Sequence, residues 1–203
     1  KKKIIKKQDI KKVNISSYEI KRSNLSDNIW NKYKNDIQKD LTFIDNKNIW
    51  ISKNLEKNHL NNFLIYRDLK INLRLLIVKK MFNEFGENFF LFGDTWKKHF
   101  KKSHGNVEKK SQIEKIYCGN ICLDFGSTSG SLTLYPRSID IIENGGYLMQ
   151  LKQSDSHKIF GEYEEYFTYT NLNDLSKKVN EIINNSELFF ERLKILNGLF
   201  QNR

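Results

Sequence analysis

The segment from Leu123 to Lys152, LDFGSTSGSLTLYPRSIDIIENGGYLMQLK, constrains the fold more than any other part of the chain. The mostly apolar run at 121–125 that leads into it predicts a buried strand. Pro136, the only proline, favours the first turn of a helix, because the N–H that proline lacks would have no helical partner there. The pair Gly145–Gly146 ends that helix, and residues 147–151 predict another strand. The segment therefore predicts a strand–loop–helix–strand unit.

The loop between the first strand and the helix consists mainly of small residues. Glycine and serine let a backbone approach a ligand closely. The loop leads into a helix N-terminus, where free N–H groups and the helix dipole favour an anion. The sequence therefore predicts an anion-binding loop, whose expected contact residues are Ser127, Thr128, Ser129, Gly130 and Ser131.

Arg137 lies in the first turn of the predicted helix, where its charge opposes the helix dipole. An acidic side chain would be favoured there by about 0.3–1 kcal/mol, so a bound phosphate is one reason for an arginine at this position. The alternative is a surface ion pair between Arg137 and Asp140, three residues apart and worth roughly 0.2–0.5 kcal/mol. The spacing alone leaves both interpretations open.

Helical and strand patterns alternate along much of the remaining chain. Strands separated by helices predict a parallel sheet with right-handed crossovers, an α/β layered domain that binds ligands beyond the C-terminal ends of its strands. The other predicted elements are a helix over 27–40 capped by Ser26, a long helix from Leu60 to Gly86 with Arg67 and Arg74 at the surface, a short buried strand at 89–92, a short helix at 113–117, a helical turn at 156–160, a strand at 166–169, a helix capped by Asn171, and a last helix from Ser186.

Residues 1–59 follow this alternation less clearly than the rest. Their isolated helical and apolar pieces indicate the end of an upstream domain and its linker, and we expect residues 60–203 to form the layered domain. Because the chain begins with Lys1, we expect it to be a fragment of a longer protein.

The excess of basic over acidic side chains lies in the first 136 residues of the chain. The net charge is +11; residues 137–203 contain 8 basic and 10 acidic side chains, so they carry −2 and the first 136 residues carry +13. Such a block favours nucleic acid or an anionic membrane as partner, although a solvated lysine-rich face has the same composition. No membrane-spanning run, signal peptide, metal pattern or disulfide framework is visible, so a cytoplasmic location is expected.

Four stretches, in this order, resemble a known family: FNEFGENFFLFGDTW, IEKIYCGNICLDFG, PRSIDIIENGGYLMQ and IFGEYEEYFTYTNLNDLSKKVNEII. Together they are similar to the C-terminal domain of GT-B-fold glycosyltransferases, in the group-1 branch that includes spore-maturation B-like proteins. The resemblance covers about Leu60 to Phe200. It implies a Rossmann-like domain, the donor-binding half of a hexosyltransferase-type enzyme. That enzyme would transfer a sugar from a nucleotide-sugar to a cell-surface glycan or lipid-linked acceptor, with no metal or other cofactor.

The resemblance also implies roles for individual residues. Asp140 would take the position of the acid that binds the donor ribose, although the usual acid in the family is Glu. Arg137 and the amides of residues 127–131 would face the diphosphate, and Gly145–Gly146 would precede a strand of the site. Many relatives carry a second acid at the position of Leu132. The resemblance assigns no catalytic base.

Two classes of function therefore remain open from the sequence. The first is the glycosyltransferase, with nucleotide-sugar and acceptor as partners, no nucleic acid, and a peripheral location at the inner face of the membrane. The second is a non-enzymatic basic module that binds nucleic acid or an anionic membrane, supported by the charge of the first 136 residues.

Overall fold

The computed structural model describes residues 15–42, 59–107, 110–126 and 133–201. Within these ranges the helices are α1 (Ile15–Lys39), α2 (His59–Phe85), α3 (Lys110–Tyr117), α4 (Pro136–Glu143), α5 (Ser156–Phe160), α6 (Glu164–Phe167), α7 (Leu172–Ile183) and α8 (Ser186–Gln201). The strands are β1 (Ile121–Asp124), β2 (Tyr147–Leu151) and β3 (Thr168–Tyr169). Short 3₁₀ turns occupy Gly86–Asn88, Asp94–Lys98 and Gly161–Tyr163.

The three strands form one open parallel sheet in the order β1–β2–β3. Asp124 of β1 pairs with Gln150 of β2, and Gln150 pairs with Thr168 of β3. All five residues of β2 are buried, as expected for the central strand of a parallel sheet that is covered on both faces. The predicted α/β class, with a parallel sheet flanked by helices, is confirmed.

Helix α2 supplies a large share of the core. Leu69, Leu73 and Ile77 are fully buried, and their spacing of four residues places them on one face of the helix. The same core contains Ile37 and Leu41 from the segment 15–42. The segment 15–42 therefore packs on the layered part of the chain, while the division of the chain near residue 60 stays a prediction.

Local signals predicted several boundaries correctly. The long helix ends before Gly86, which has a φ of +54°, because glycine adopts this left-handed conformation without strain. Helix α7 begins after Asn171, whose side-chain oxygen accepts a hydrogen bond from the Asp174 N–H at 2.9 Å. The predicted helical turn at 156–160 is also present.

Two local predictions are wrong. Residues 89–92 form no strand: only Phe92 makes an isolated bridge, to His104, and Phe90 is 62% exposed. Phe89 packs on Phe82 of α2 instead, so aromatic packing decides this segment. Ser26 lies inside α1 and is buried, so it caps no helix.

The predicted strand at 166–169 is shortened at its start. Helix α6 extends to Phe167, and the Thr168 hydroxyl donates to the Glu164 carbonyl at 3.0 Å. This bond and the preceding turn hold residues 164–167 in helical conformation, so β3 keeps two residues.

Candidate anion-binding site

The C-terminal end of β1 is tied to the first turn of α4 through Asp124. The Asp124 carboxylate accepts hydrogen bonds from the Gly126 N–H at 3.0 Å and from the Ser138 hydroxyl at 2.5 Å. The Tyr169 hydroxyl donates to the Asp124 carbonyl at 3.3 Å. Asp124 is 3% exposed, and its carboxylate is occupied by these donors. These bonds connect the end of β1 to the loop that follows it, to α4 and to β3.

Arg74 reaches this edge from helix α2. Its Nη2 donates to the Gly126 carbonyl, and its Nε is buried without a hydrogen-bond partner among the described residues. Burial and then the positive charge of Arg137 lower the pKa of Arg74, while the Asp124 carboxylate acts in the opposite direction. The prediction that Arg74 is a surface residue holds only in part: its side chain is half-buried, because folding brings it onto Gly126, 52 positions later in the sequence.

Arg137 lies beside Arg74 as the second residue of α4. Its side chain is exposed, and its charge acts on both Arg74 and Tyr117. It makes no hydrogen bond or ion pair with any described residue, Asp140 included. The alternative of an Arg137–Asp140 surface pair is therefore wrong in this conformation. Arg74 and Arg137 therefore act on each other electrostatically at this edge of the sheet, and neither forms an ion pair with a carboxylate in the described part of the chain.

The predicted ligand loop lies between two well-anchored residues. Ser127, Thr128, Ser129, Gly130 and Ser131 are outside the described residues, so their role stays a prediction. Gly126, before the loop, has a φ of +70° and is bound by Arg74. Thr133, after it, is fully buried, and its N–H and hydroxyl donate to Asp155 at 2.8 and 2.5 Å. Both ends of the loop are thus fixed at the C-terminal edge of the sheet.

The other predicted site residues lie further along α4. Asp140 is exposed, one turn after Arg137, and its charge acts on Tyr117, as that of Arg137 does. Gly145 and Gly146 follow the helix, about 12 Å from its start at a rise of roughly 1.5 Å per residue. They precede β2 at the opposite edge of the sheet. The structure therefore brings Arg137 to Arg74 and separates both glycines from them.

Gly146 has a packing role at that opposite edge. Its N–H donates to the Ile141 carbonyl at 2.8 Å. A Cβ atom at this position would lie 2.9 Å from the Ile141 Cγ2 and 3.1 Å from the Tyr117 carbonyl oxygen. Only glycine fits this close approach of α3, α4 and β2.

Two buried glutamines complete the C-terminal edge and were missed in the sequence. Gln150 is fully buried in β2, and its Nε2 donates to the Thr133 carbonyl. Gln153 is 5% exposed and donates from Nε2 to the Leu151 carbonyl at 3.0 Å. The Oε1 atoms of both have no hydrogen-bond partner among the described residues. The available signal was a glutamine within the otherwise apolar strand YLMQL.

Other site chemistries find no support in the described ranges. Residues 15–42, 59–107, 110–126 and 133–201 contain no group of three His, Cys, Asp or Glu side chains that could hold a metal ion. No described helix combines the length and apolar character needed to cross a membrane. Comparison with family models, with curated proteins and with solved structures finds no match to the chain.

Proposed function

We propose that this chain is the nucleotide-sugar-binding half of a glycosyltransferase, with Arg74 and Arg137 holding the donor diphosphate. One observation supports the proposal: at the C-terminal edge of a parallel sheet, the charge of Arg137 acts on Arg74, and neither arginine forms an ion pair with a described carboxylate, although the Asp124 charge also acts on Arg74. Ligands of open α/β sheets bind at this edge.

A diphosphate suits the charges at this edge. Arginine binds phosphate oxygens through paired N–H groups, and the unpartnered Nε of Arg74 is a further donor. The start of α4 adds the positive end of its dipole. A bound anion would also remove the repulsion that contributes to the lowered pKa of Arg74.

The same groups suit sugar transfer from a diphosphate. Negative charge develops on the diphosphate as the sugar leaves, and preorganised cations and N–H groups stabilise such charge without a metal. The sequence resemblance supplies the rest of the proposal: a Rossmann-like second half of a GT-B fold, with Asp140 on the donor ribose. The acceptor is a cell-surface glycan or a lipid-linked sugar, met at the inner face of the membrane.

Calorimetry with uridine, UDP, GDP and their sugars tests the proposal. Arg137→Ala and Arg74→Met should each weaken diphosphate binding roughly tenfold or more, because a hydrogen bond to a charged group contributes about 1.5–3 kcal/mol. Both should leave uridine nearly unchanged. Asp140→Asn should weaken uridine and UDP alike, since both contain ribose. Lys101→Ala is the matched control, because it removes one positive charge from an exposed side chain outside the site.

Two outcomes would contradict the proposal. One is a folded wild-type protein that binds no nucleotide. The other is equal UDP affinity in wild type, both arginine variants and the control. The competing function, a basic nucleic-acid or membrane module, predicts binding to nucleic acid or anionic vesicles that weakens by orders of magnitude with salt. In the basic segment 94–102, Lys97 and Lys102 already pair with Asp94 and Glu87 at 2.8 and 2.9 Å.

A further inference from the structure

Gln153 presents a hydrogen-bond acceptor that the protein does not use. Its Nε2 donates to the Leu151 carbonyl at 3.0 Å. This bond fixes the orientation of the amide and leaves Oε1 as the atom that can still accept a hydrogen bond. That oxygen is buried and has no partner within the described ranges. An unsatisfied buried acceptor is costly, and a structure retains one where a ligand or water completes it.

The Gln153 amide lies against the residue that Arg74 binds. A Cβ atom on Gly126 would lie 3.1 Å from the Gln153 Nε2 and 3.9 Å from its Oε1, and Arg74 donates to the Gly126 carbonyl. An unused acceptor and an unused donor, the Nε of Arg74, are thus adjacent to one residue at the start of the predicted loop.

The two unused groups require different chemistry from one ligand. The Arg74 Nε needs an acceptor, which a phosphate oxygen supplies. The Gln153 Oε1 needs a donor, which an ionised phosphate lacks and a hydroxyl group supplies. A water or a single hydroxyl group, which both donates and accepts, would satisfy both atoms. In the proposed donor, a phosphate oxygen and a neighbouring sugar hydroxyl do so.

The order of residues along the edge selects which hydroxyl groups. Asp140 lies one turn beyond Arg137 along α4, whereas Arg74 donates to the Gly126 carbonyl and the Gln153 amide lies against Gly126. A nucleotide-sugar with its ribose at Asp140 and its diphosphate on the arginines has its sugar at Gln153.

We propose that Gln153 accepts a hydrogen bond from a hydroxyl of the sugar that is attached to the donor diphosphate. This inference rests on the proposed function. It makes Gln153 a residue that recognises the sugar and contributes nothing to binding of the bare nucleoside diphosphate. The buried Oε1 of Gln150, in the preceding strand β2, is not needed for it.

The test is the ratio of affinities for a nucleotide-sugar and for the nucleoside diphosphate without the sugar. UDP-glucose, UDP-galactose and GDP-mannose are titrated against UDP and GDP by calorimetry. Gln153→Met keeps the length of the side chain and removes the acceptor, so the gain in affinity from the sugar should fall about three- to tenfold. UDP and GDP should bind as to wild type. Gln201→Met, the same substitution at an exposed position in α8, should change neither.

A second measurement, on the wild-type protein, covers the case in which Gln153→Met does not fold. Analogues of the bound UDP-sugar that each lack one sugar hydroxyl are titrated, and loss of the hydroxyl that donates to Gln153 should reduce the gain in affinity about three- to tenfold. Equal affinity for the parent sugar and for every such analogue overturns the inference. So does an unchanged ratio in folded Gln153→Met, or a wild-type protein that gains no affinity from any sugar. Absence of all nucleotide binding in wild type instead removes the proposed function itself.

Discussion

Replacing Gly146 with alanine separates a packing role from a ligand-binding role for the Gly145–Gly146 pair. The new Cβ would lie 2.9 Å from the Ile141 Cγ2, 3.0 Å from the Ile141 carbonyl oxygen and 3.1 Å from the Tyr117 carbonyl oxygen. Two of these atoms belong to the backbone at the ends of α3 and α4, so a rotamer change cannot relieve the contact. Overpacking of this kind costs about 1–3 kcal/mol. For a chain of this size, Tm should fall by about 2–12 °C.

The assay is thermal unfolding followed by circular dichroism, with Gly198→Ala as the matched control. Gly198 lies within α8 and a Cβ there meets nothing within 4 Å. Alanine in a helix interior is favoured over glycine by roughly 0.8–1.0 kcal/mol, so the control should raise Tm. If Gly146→Ala leaves Tm unchanged or raises it, as Gly198→Ala should, the packing argument fails. A variant with normal Tm and weakened UDP binding would instead restore Gly146 as a substrate-binding residue.

Two further predictions concern ionisable side chains. Burial alone would raise the pKa of Glu84, but hydrogen bonds from Ser176, Lys80 and Asn180 lower it below the usual 4.5. Glu84 therefore stabilises the folded protein above about pH 4.5, and this contribution is lost as the pH falls through the lowered pKa. Urea unfolding should find Glu84→Gln less stable than wild type at pH 7 by an amount that shrinks in acid, and a constant difference would refute this. Burial raises the pKa of Cys122 to about 12, so iodoacetamide at pH 8 should label the exposed Cys118 and spare Cys122 in the native protein; equal labelling would contradict it.

The central unit of the fold could be predicted because its signals are local. Pro136 marks the first turn of α4, and Gly145, with a φ of +72°, marks the turn before β2. Both act through the allowed dihedrals of one residue. Asn171 acts through one side-chain hydrogen bond to α7. Signals of this kind do not depend on the rest of the chain.

The composition of the site could not be predicted, because it depends on contacts that are distant in sequence. Nothing around Arg74 indicates that its side chain reaches Gly126, 52 positions later. The apolar run at 89–92 misleads for a similar reason, since Phe89 and Phe92 find ring partners in Phe82 and His104. The periodicity of a helix shows which face of the helix a residue lies on. Which element packs against that face depends on the whole fold.

Backbone N–H groups are hydrogen-bonded at the end of the sheet where β2 begins, whereas buried side-chain atoms lack partners at the C-terminal edge. This difference is the main reason for proposing a ligand at the C-terminal edge. At the edge before β2, the N–H groups of Gly119, Gly146 and Tyr147 all donate to backbone carbonyls at 2.8–3.0 Å. At the C-terminal edge, Arg74 and Gln153 keep buried polar atoms without partners in the described part of the chain. Unused buried groups reduce stability, and departures from full satisfaction are expected at functional sites. The proposed ligand, a phosphate with an attached sugar, would supply an acceptor for the arginine and a donor for the glutamine, and its binding would then stabilise the protein.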